Sequence, residues 1–185
     1  MIKQFKDWIT EQEHQNILAE VCYVPKWRFG QTSDDTIKPN YPMWFQGFWN
    51  LREHKYVDDC PEIVKDLGER FIDMMPEDYI MVRCMASSNT FGQDGDVHTD
   101  WGYPDMSQTG VLYTDRIWDR NWGGDTVFYN GDETAVSEYK PRKLVTFDGN
   151  IEHIGKGPQR RCPEMRSILA FQAVQIDAYK RRFKK

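Results

Sequence analysis

Several features that mark whole classes of protein are missing from this chain. No stretch of the 185 residues approaches the apolar length that spans a bilayer, and residues 1–7 lack the apolar core of a signal peptide. The formal net charge is −5, so there is no global positive field for sequence-independent binding to nucleic acid phosphates. We therefore expect a soluble, cytoplasmic protein whose partners include neither a membrane nor nucleic acid.

The chain also has few cysteines. Cys22, Cys60, Cys84 and Cys162 lie far apart, and no C-x-x-C motif occurs. This spacing argues against a zinc ribbon or a redox-active pair, and it is compatible with reduced thiols in a cytosol. We expect the four cysteines to be packing residues.

Aromatic side chains, in contrast, are abundant: they make up 14% of the residues and include seven tryptophans. Such a composition suits a β-rich core with a lined pocket better than a helical bundle. The length fits one domain of ordinary size. We predict a single domain over residues 1–185, in which 1–78 form a helical and extended support and 79–176 form the β core.

Two amphipathic helices are predicted in the first part of the chain. Residues 10–13 form a capping-box pattern that begins the first helix, which should end before Pro25. The second helix has Pro61 at its first position and ends at Pro76.

Beyond the second helix the pattern changes to short β-rich runs separated by turns, with no helix between them. Such a succession predicts an antiparallel sandwich or barrel, and the architecture we infer is two helices supporting a jelly-roll β-sandwich. A polar loop at 33–42 separates two earlier extended segments and could border a substrate site. The predicted extended segments are 27–32, 44–49, 79–84, 96–100, 110–114, 125–129, 143–147 and 168–176.

Three candidate metal ligands stand in the β-rich part. Residues two apart in a strand point to the same face, so His98 and Asp100 can bind one ion. His153 lies in another segment, just past a turn at 148–149, and a neighbouring strand could bring its imidazole to that ion. Two nitrogens and one carboxylate with open positions suit non-haem Fe(II), whereas a closed zinc site would usually recruit a fourth ligand.

Arg166 opens the otherwise apolar run 166–171. A buried guanidinium needs a carboxylate, and its fork can hold a ligand carboxylate through two charge-assisted hydrogen bonds. Beside an iron site the natural ligand is 2-oxoglutarate; the alternative is that Arg166 pairs with one of the chain's own acids. Arg160 and Arg161 compete for this role, but only Arg166 begins an apolar strand.

Taken together, these residues resemble a known family, the Fe(II)- and 2-oxoglutarate-dependent oxygenases, and within it the prolyl 4-hydroxylase-like branch. The resemblance covers residues 79–176 and implies a double-stranded β-helix, which agrees with the sandwich inferred from the turns. The elements that carry it, in family order, are His98-Thr99-Asp100, W-G-G-D-T-V-F at 122–128, L-V-T-F-D-G at 144–149, His153 and Arg166.

The resemblance implies a role for each site residue. His98, Asp100 and His153 match the iron ligands, and Arg166 matches the residue that binds the distal carboxylate of 2-oxoglutarate. Tyr113 matches a strand position where related enzymes place a tyrosine that hydrogen-bonds the same cosubstrate; the alternative is a buried structural tyrosine. The implied cofactors are Fe(II), 2-oxoglutarate as cosubstrate and O2, with ascorbate as a further candidate.

The activity that the resemblance implies is hydroxylation of an unactivated C–H bond, with 2-oxoglutarate converted to succinate and CO2. Asp100 favours hydroxylation, because related halogenases have a small uncharged residue in its place. The implied substrates are a peptidyl proline, a free amino acid or a small metabolite. The chain departs from its relatives at Met85, close to where they commonly carry a tyrosine, so one cosubstrate or substrate contact is expected to be absent.

Some alternatives stay open. A metal-binding, cupin-like jelly-roll module without activity would use the same pocket for a small ligand. Trp101 either lies near the iron pocket or packs in the core. Segments 33–42 and 41–49 are the expected place for substrate specificity. His14 and His54 sit on polar segments, so we expect both to face solvent.

Overall fold

The computed structural model describes residues 1–33, 42–101 and 106–183. Most of the loop predicted at 33–42 therefore lies outside the described residues. In chain order the elements are β1 (Ile2–Phe5), α1 (Glu11–Ile17), a π-helical turn (Leu18–Cys22), β2 (Arg28–Gln31), β3 (Met43–Gly47), β4 (Trp49–Asn50), β5 (Lys55–Tyr56), α2 (Glu62–Asp73), β6 (Tyr79–Asn89), β7 (Ser107–Tyr113), a 3-10 turn (Arg120–Trp122), β8 (Thr126–Asn130), β9 (Glu133–Ser137), β10 (Leu144–Asp148), β11 (Glu152–Gly155), β12 (Arg166–Gln175) and α3 (Ile176–Phe183).

The strands form a large sheet, a small sheet and a short hairpin. The large sheet has the order β1-β10-β7-β12-β6-β3-β2, the small sheet has the order β11-β8-β9, and β4 pairs with β5. Every strand pair in the described residues is antiparallel. The prediction of a mainly β chain with antiparallel sheets and flanking helices is confirmed.

Side chains alternate between the two faces of the large sheet, and each face is covered differently. On the outer face, Phe71 of α2 stacks on Phe171 of β12 with ring centroids 5.4 Å apart, and Ile17 of α1 joins the same core cluster. On the inner face, Phe128 of β8 meets Phe147 of β10 with ring centroids 4.9 Å apart. The helices therefore cover the outer face, and the small sheet packs on the inner face.

The helix signals act largely as predicted. The Thr10 hydroxyl accepts a hydrogen bond from the Glu13 backbone N–H (3.2 Å), and the Glu13 carboxylate accepts one from the Thr10 N–H (2.7 Å), which completes the capping box. The helical path ends at Cys22, ahead of Pro25. Pro61 precedes α2 as its cap instead of occupying its first turn.

The strand predicted at 96–100 is reduced to a single bridging residue. His98 and His153 exchange two backbone hydrogen bonds, with N–O distances of 3.0 and 2.9 Å. The neighbouring segment turns immediately before His153, where the Ile151 N–H donates to the Asp148 carbonyl at 3.0 Å. The two segments stay in contact on either side of the bridge, where the Trp101 N–H donates to the Gly149 carbonyl (2.9 Å) and the Gly95 N–H to the Gly155 carbonyl (3.0 Å), without forming a regular ladder.

The expectation that His14 faces solvent is wrong. Its side chain is 2% exposed, and its Nε2 atom lies 3.0 and 3.1 Å from the carbonyl oxygens of Thr114 and Asp115. His14 shares one face of α1 with Ile17, so burial of that face carries the imidazole to these carbonyls just past the end of β7. His54 is exposed, as expected.

Three elements carry too little sequence signal to be predicted. β1 has four residues, and β9 is exposed along most of its length, with Gly131 (φ +62°) in the turn that joins it to β8. α3 begins at Ile176, the last residue of the extended segment predicted at 168–176. Of the four cysteines expected to be packing residues, Cys60 and Cys84 lie in the main core cluster and Cys22 packs against it, whereas Cys162 is half-buried outside the core clusters. In the part of the chain that the structure describes, no helix has the length and apolar character needed to cross a membrane.

Gly110 of β7 lies beneath the Phe71 ring, and this contact generates a stability prediction. A Cβ atom at Gly110 would lie 2.6 Å from that ring. Gly110→Ala is expected to lower the free energy of unfolding by about 1–3 kcal/mol, because the overpacked core must shift. Gly47→Ala, in a strand position with nothing within 4 Å, is the control and should be neutral or slightly stabilising. Urea denaturation measures both, and equal midpoints would contradict the prediction.

Candidate metal and carboxylate-binding site

Three side chains with metal-binding atoms meet beside the small sheet. His153 lies on β11, His98 is held next to it by the backbone bridge, and Asp100 follows two residues later. The two imidazole centroids are 4.3 Å apart. The Nε2 atoms of His98 and His153 lie 3.8 and 3.7 Å from the Asp100 carboxylate oxygens. One ligand atom from each residue lies within 4.8 Å of the other two.

Backbone carbonyls set the orientation of both imidazoles. Nδ1 of His98 lies 2.8 Å from the Asp96 carbonyl oxygen, and Nδ1 of His153 lies 2.9 Å from that of Ile151. Because a carbonyl can only accept, each Nδ1 carries the proton, and the Nε2 lone pair faces Asp100. Both histidines thus present one nitrogen to a metal while the protein holds the other.

Asp100 remains a carboxylate despite its burial. Burial raises the pKa of Asp100, but the charges of His153, Arg83 and His98 and a hydrogen bond from the Thr109 hydroxyl (2.6 Å) outweigh it, so that the pKa lies below its usual value. Burial lowers the pKa of His153 below its ordinary value. At neutral pH the cluster therefore offers an anionic oxygen and a neutral imidazole nitrogen, which suit a divalent cation.

The W-G-G-D-T motif contributes to the pocket that surrounds the Arg166 guanidinium, here called the Arg166 seat. This arginine begins β12, is 2% exposed, and donates from Nε to the Gly124 carbonyl (2.5 Å) and from Nη2 to the Thr126 hydroxyl (3.2 Å). Gly124 has a φ of +82°, and a Cβ atom there would lie 2.8 Å from Trp118, so only glycine fits. A Cβ atom at Gly155 would lie 3.3 Å from Nη1 of Arg166, so this glycine leaves room for the guanidinium.

Arg166 is buried without an acidic partner among residues 1–33, 42–101 and 106–183: no carboxylate there forms an ion pair with it. Its charge instead faces two aromatic rings, with Cζ 5.9 Å from the centroid of Tyr113 and 5.5 Å from that of Tyr139. A buried guanidinium is costly until an anion neutralises it. The arrangement is therefore suited to an external carboxylate.

Tyr113 lies behind Arg166 and is fully buried. Its hydroxyl is 2.9 Å from the Thr126 hydroxyl oxygen and 3.1 Å from the Ser137 carbonyl oxygen. It is not among the residues that line the cavity in front of the metal ligands. A hydrogen bond from Tyr113 to the cosubstrate thus stays a prediction, while its ring contact with Arg166 is present.

The buried Asp115 holds the Tyr139 ring in place, and this ring in turn contacts Tyr113. The Tyr139 hydroxyl donates to the Asp115 carboxylate (2.5 Å), which also accepts from the Ser167 N–H (2.8 Å). The rings of Tyr139 and Tyr113 lie 4.4 Å apart. Burial raises the pKa of Asp115 to about 7, against the opposing effect of its hydrogen bonds. The network fixes one wall of the Arg166 seat.

The triad and Arg166 open into one cavity between the two sheets, whose walls also include residues of β2, β3, β6, β7 and β8. Arg160 and Arg161, the rival candidates for the carboxylate, are exposed and do not line it. Trp101 is 5% exposed and packs in a core cluster with Val82. Of the three arginines considered, only Arg166 lines the cavity beside the triad.

The sequence analysis assigned no site role to several residues that line the cavity, among them Thr109, Gly155 and Arg83. Thr109 and Gly155 act only through contacts with Asp100 and Arg166, and such contacts leave no signal in a sequence. Arg83 did carry a signal, because it is a charged residue inside the otherwise apolar start of β6.

Solved structures share this fold over nearly the whole chain. A prolyl hydroxylase from Trichoplax adhaerens, in complex with a hypoxia inducible factor oxygen degradation domain peptide fragment, has a TM-score of 0.72 at 14% identity, covering 96% of this chain and 84% of that one. An oxidoreductase of the 2OG-Fe(II) oxygenase family from Burkholderia pseudomallei has a TM-score of 0.70 at 14% identity, covering 94% and 84%. A prolyl-4-hydroxylase from Pseudomonas putida has 0.64 at 15% identity, covering 94% and 91%. The resemblance inferred from the motifs is confirmed at the level of the fold, which this chain shares with 2OG-Fe(II) oxygenases and prolyl hydroxylases.

Sequence comparison adds one relative. No family model matches the chain. An acetylxylan esterase from Xylanibacter ruminicola is 30% identical over 128 residues, which are 67% of this chain and 26% of that protein. The chain therefore spans about a quarter of the length of this curated relative.

The Asp115 network predicts a pH dependence of stability. The carboxyl has a pKa of about 7 in the folded chain and 3.8 as its ordinary value, so the folded state holds the extra proton between these values. Stability should then fall as pH rises from 4 to 7, by on the order of 4 kcal/mol from this group. Asp115→Asn should remove this contribution, so its stability relative to wild type should improve over that range. Asp132→Asn, at an exposed turn, is the control. Denaturant unfolding at several pH values gives the comparison, and parallel curves for wild type and Asp115→Asn would refute it.

Proposed function

We propose that this chain is an Fe(II)- and 2-oxoglutarate-dependent oxygenase. His98, Asp100 and His153 hold the iron, and Arg166 binds the distal carboxylate of 2-oxoglutarate. The observation that carries the proposal is that a two-nitrogen, one-carboxylate cluster and a buried guanidinium without an acidic partner among the described residues line the same cavity. This donor set, with its remaining positions open, suits non-haem Fe(II).

We infer further that the large and small sheets are the two halves of a double-stranded β-helix. Support comes from the packing of Phe128 on Phe147 between the sheets. It comes also from the division of the site, since His153 lies on the small sheet and Arg166 on the large one. In this fold the cavity between the halves would hold both cosubstrate and substrate.

Each residue would have a defined task in the reaction. When bound, iron and 2-oxoglutarate would supply the oxidation of an unactivated C–H bond by O2, with succinate and CO2 as coproducts. The Asp96 and Ile151 carbonyls keep the imidazoles aligned, and the Thr109 hydroxyl fixes the Asp100 carboxylate. Tyr113 would contribute to cosubstrate binding, through the ring beside Arg166 or by turning its hydroxyl to the ligand. Ascorbate is a further candidate cofactor and would be added to the activity assay.

The substrate is proposed as prolyl 4-hydroxylase-like: a peptidyl proline, a free amino acid or a small metabolite. Two of the similar structures are named prolyl hydroxylases, and one of them is in complex with a peptide. These proteins share the fold at 14% and 15% identity, and one fold hosts many substrates.

The curated relative raises an esterase as a second candidate. A serine esterase needs a serine hydroxyl bonded to a histidine whose other nitrogen meets a carboxylate. Here Nδ1 of His98 and of His153 meets a backbone carbonyl, and within the described ranges no serine hydroxyl hydrogen-bonds either ring. The match spans 26% of the esterase. The oxygenase is therefore favoured for this chain.

The decisive experiment is anaerobic titration of the metal-free protein with Fe(II) and then 2-oxoglutarate. A visible charge-transfer band between iron and the keto acid is expected. His153→Ala should abolish the band, because one of three ligands is lost. Arg166→Ala should raise the 2-oxoglutarate concentration at half-saturation by about 30-fold or more, as for the loss of a buried charge pair.

Arg160→Gln is the matched control, since this exposed arginine lies outside the cavity wall, and it should titrate like wild type. If the folded wild-type protein binds iron but gives no band at saturating 2-oxoglutarate, the cosubstrate assignment fails. A metal-binding ligand module without oxygenase activity would then be the better account.

A further inference from the structure

Arg83 is a second cation in the cavity, and its charge helps to keep the Asp100 carboxylate ionised. It lies on β6, its side chain is 50% exposed, and its Nη1 atom is 3.9 Å from the Asp100 carboxylate. Its guanidinium forms no hydrogen bond to any residue of the described ranges 1–33, 42–101 and 106–183. Arg166, in contrast, is 2% exposed and anchored by two hydrogen bonds. The cavity thus has one buried cation fixed by hydrogen bonds and one half-exposed cation whose ion pair among the described residues is the long contact with Asp100.

A β-bulge aims Arg83 into the cavity. In the ladder between β6 and β12, Arg83 pairs with Gln172 and Met81 pairs with Ala173, so Val82 is the extra residue. Below the bulge, Met81 points to the helical core on the outer face. Above it, Arg83 and the odd-numbered positions that follow line the cavity. Without the bulge, Met81 and Arg83 would share one face, so this irregularity is what brings the charge to the site.

We propose that Arg83 binds a carboxylate of the primary substrate, and that this substrate is a free amino acid. The proposal rests on the oxygenase function proposed above and narrows its substrate class. A half-exposed guanidinium that makes no hydrogen bond to the described residues is suited to a planar carboxylate, which it can hold through two parallel hydrogen bonds.

The position of Arg83 limits the distance between the substrate's anion and its reacting carbon. Because Nη1 lies 3.9 Å from an oxygen of Asp100, a carboxylate held there stands within a few bonds of the metal position. A free amino acid has its α-carboxylate within a few bonds of every side-chain carbon. An internal, uncharged peptide residue has no anion at that distance. A peptide residue with an acidic side chain shares the same chemistry and is distinguished by the test.

Two other roles for Arg83 make different predictions. If Arg83 served to position Asp100, its removal would weaken metal binding. Our proposal expects unchanged or tighter metal binding, because a cation near an anionic ligand opposes a second cation. If Arg83 bound the cosubstrate, its removal would weaken 2-oxoglutarate binding even with Arg166 in place.

The test is thermal unfolding of the full chain with EDTA present, so that carboxylates cannot act by chelation. The probes are the free L-amino acids, their amides, and N-acetyl-L-aspartic acid N-methylamide as a blocked acidic residue. At a concentration about tenfold above its Kd, the preferred free amino acid should raise the Tm by about 3 °C, and its amide should not. Arg83→Gln should lose this shift, while Arg166→Ala and the control Arg160→Gln should keep it.

Every outcome decides the proposal. A carboxylate preference that survives in Arg83→Gln, or a panel in which no free amino acid stabilises more than its amide, overturns it. Stabilisation by the blocked aspartyl probe alone places the anion on a peptide side chain and overturns the free amino acid. A tenfold loss of Fe(II) or 2-oxoglutarate affinity in Arg83→Gln shows that Arg83 positions Asp100 or binds the cosubstrate, and it overturns the proposal. Absence of the charge-transfer band in wild type rejects the proposed oxygenase function. The Tm shift would then still show whether Arg83 binds the carboxylate of a free amino acid.

Discussion

The site depends on two backbone hydrogen bonds between His98 and His153. They hold two segments that are far apart in sequence at the spacing of one strand pair, and this spacing brings the imidazole centroids to 4.3 Å. The carbonyls of Asp96 and Ile151, each two residues before its histidine, then orient the rings. Backbone atoms thus define most of the relative placement of the two imidazoles. Asp100 completes it because Thr109 and the neighbouring positive charges keep its carboxylate ionised.

The seat of Arg166 shows how the same fold holds a charge away from solvent. Two hydrogen bonds, two aromatic rings and two glycines surround the guanidinium, and no described carboxylate neutralises it. Most proteins pair such a charge internally, because an isolated buried ion is costly. An anionic ligand, as proposed, would offset this cost. Arg83 extends this arrangement toward solvent, where a second anion can be bound and released more easily.

Much of the fold could be predicted because it depends on local pattern. The capping box at Thr10 and the apolar run after Arg166 both produced the expected kind of element. The prediction for His14 was wrong for a reason that the sequence does not contain. Whether a polar residue on a helix faces solvent depends on which carbonyls lie opposite it, and those of Thr114 and Asp115 come from a strand far along the chain.

The sequence by itself determined which chemical groups were available: two histidines and an aspartate with metal-binding character, an arginine at the start of an apolar strand, and a glycine pair ahead of Thr126. These could be recognised because residue type and spacing fix donor chemistry and strand periodicity. Only the tertiary structure decided which of these groups meet. It placed Arg166 beside the triad, left Arg160 exposed, and turned Arg83 inward through the bulge at Val82. Each of these outcomes depends on strand register, and register is set by long-range pairing that no local segment of the sequence specifies.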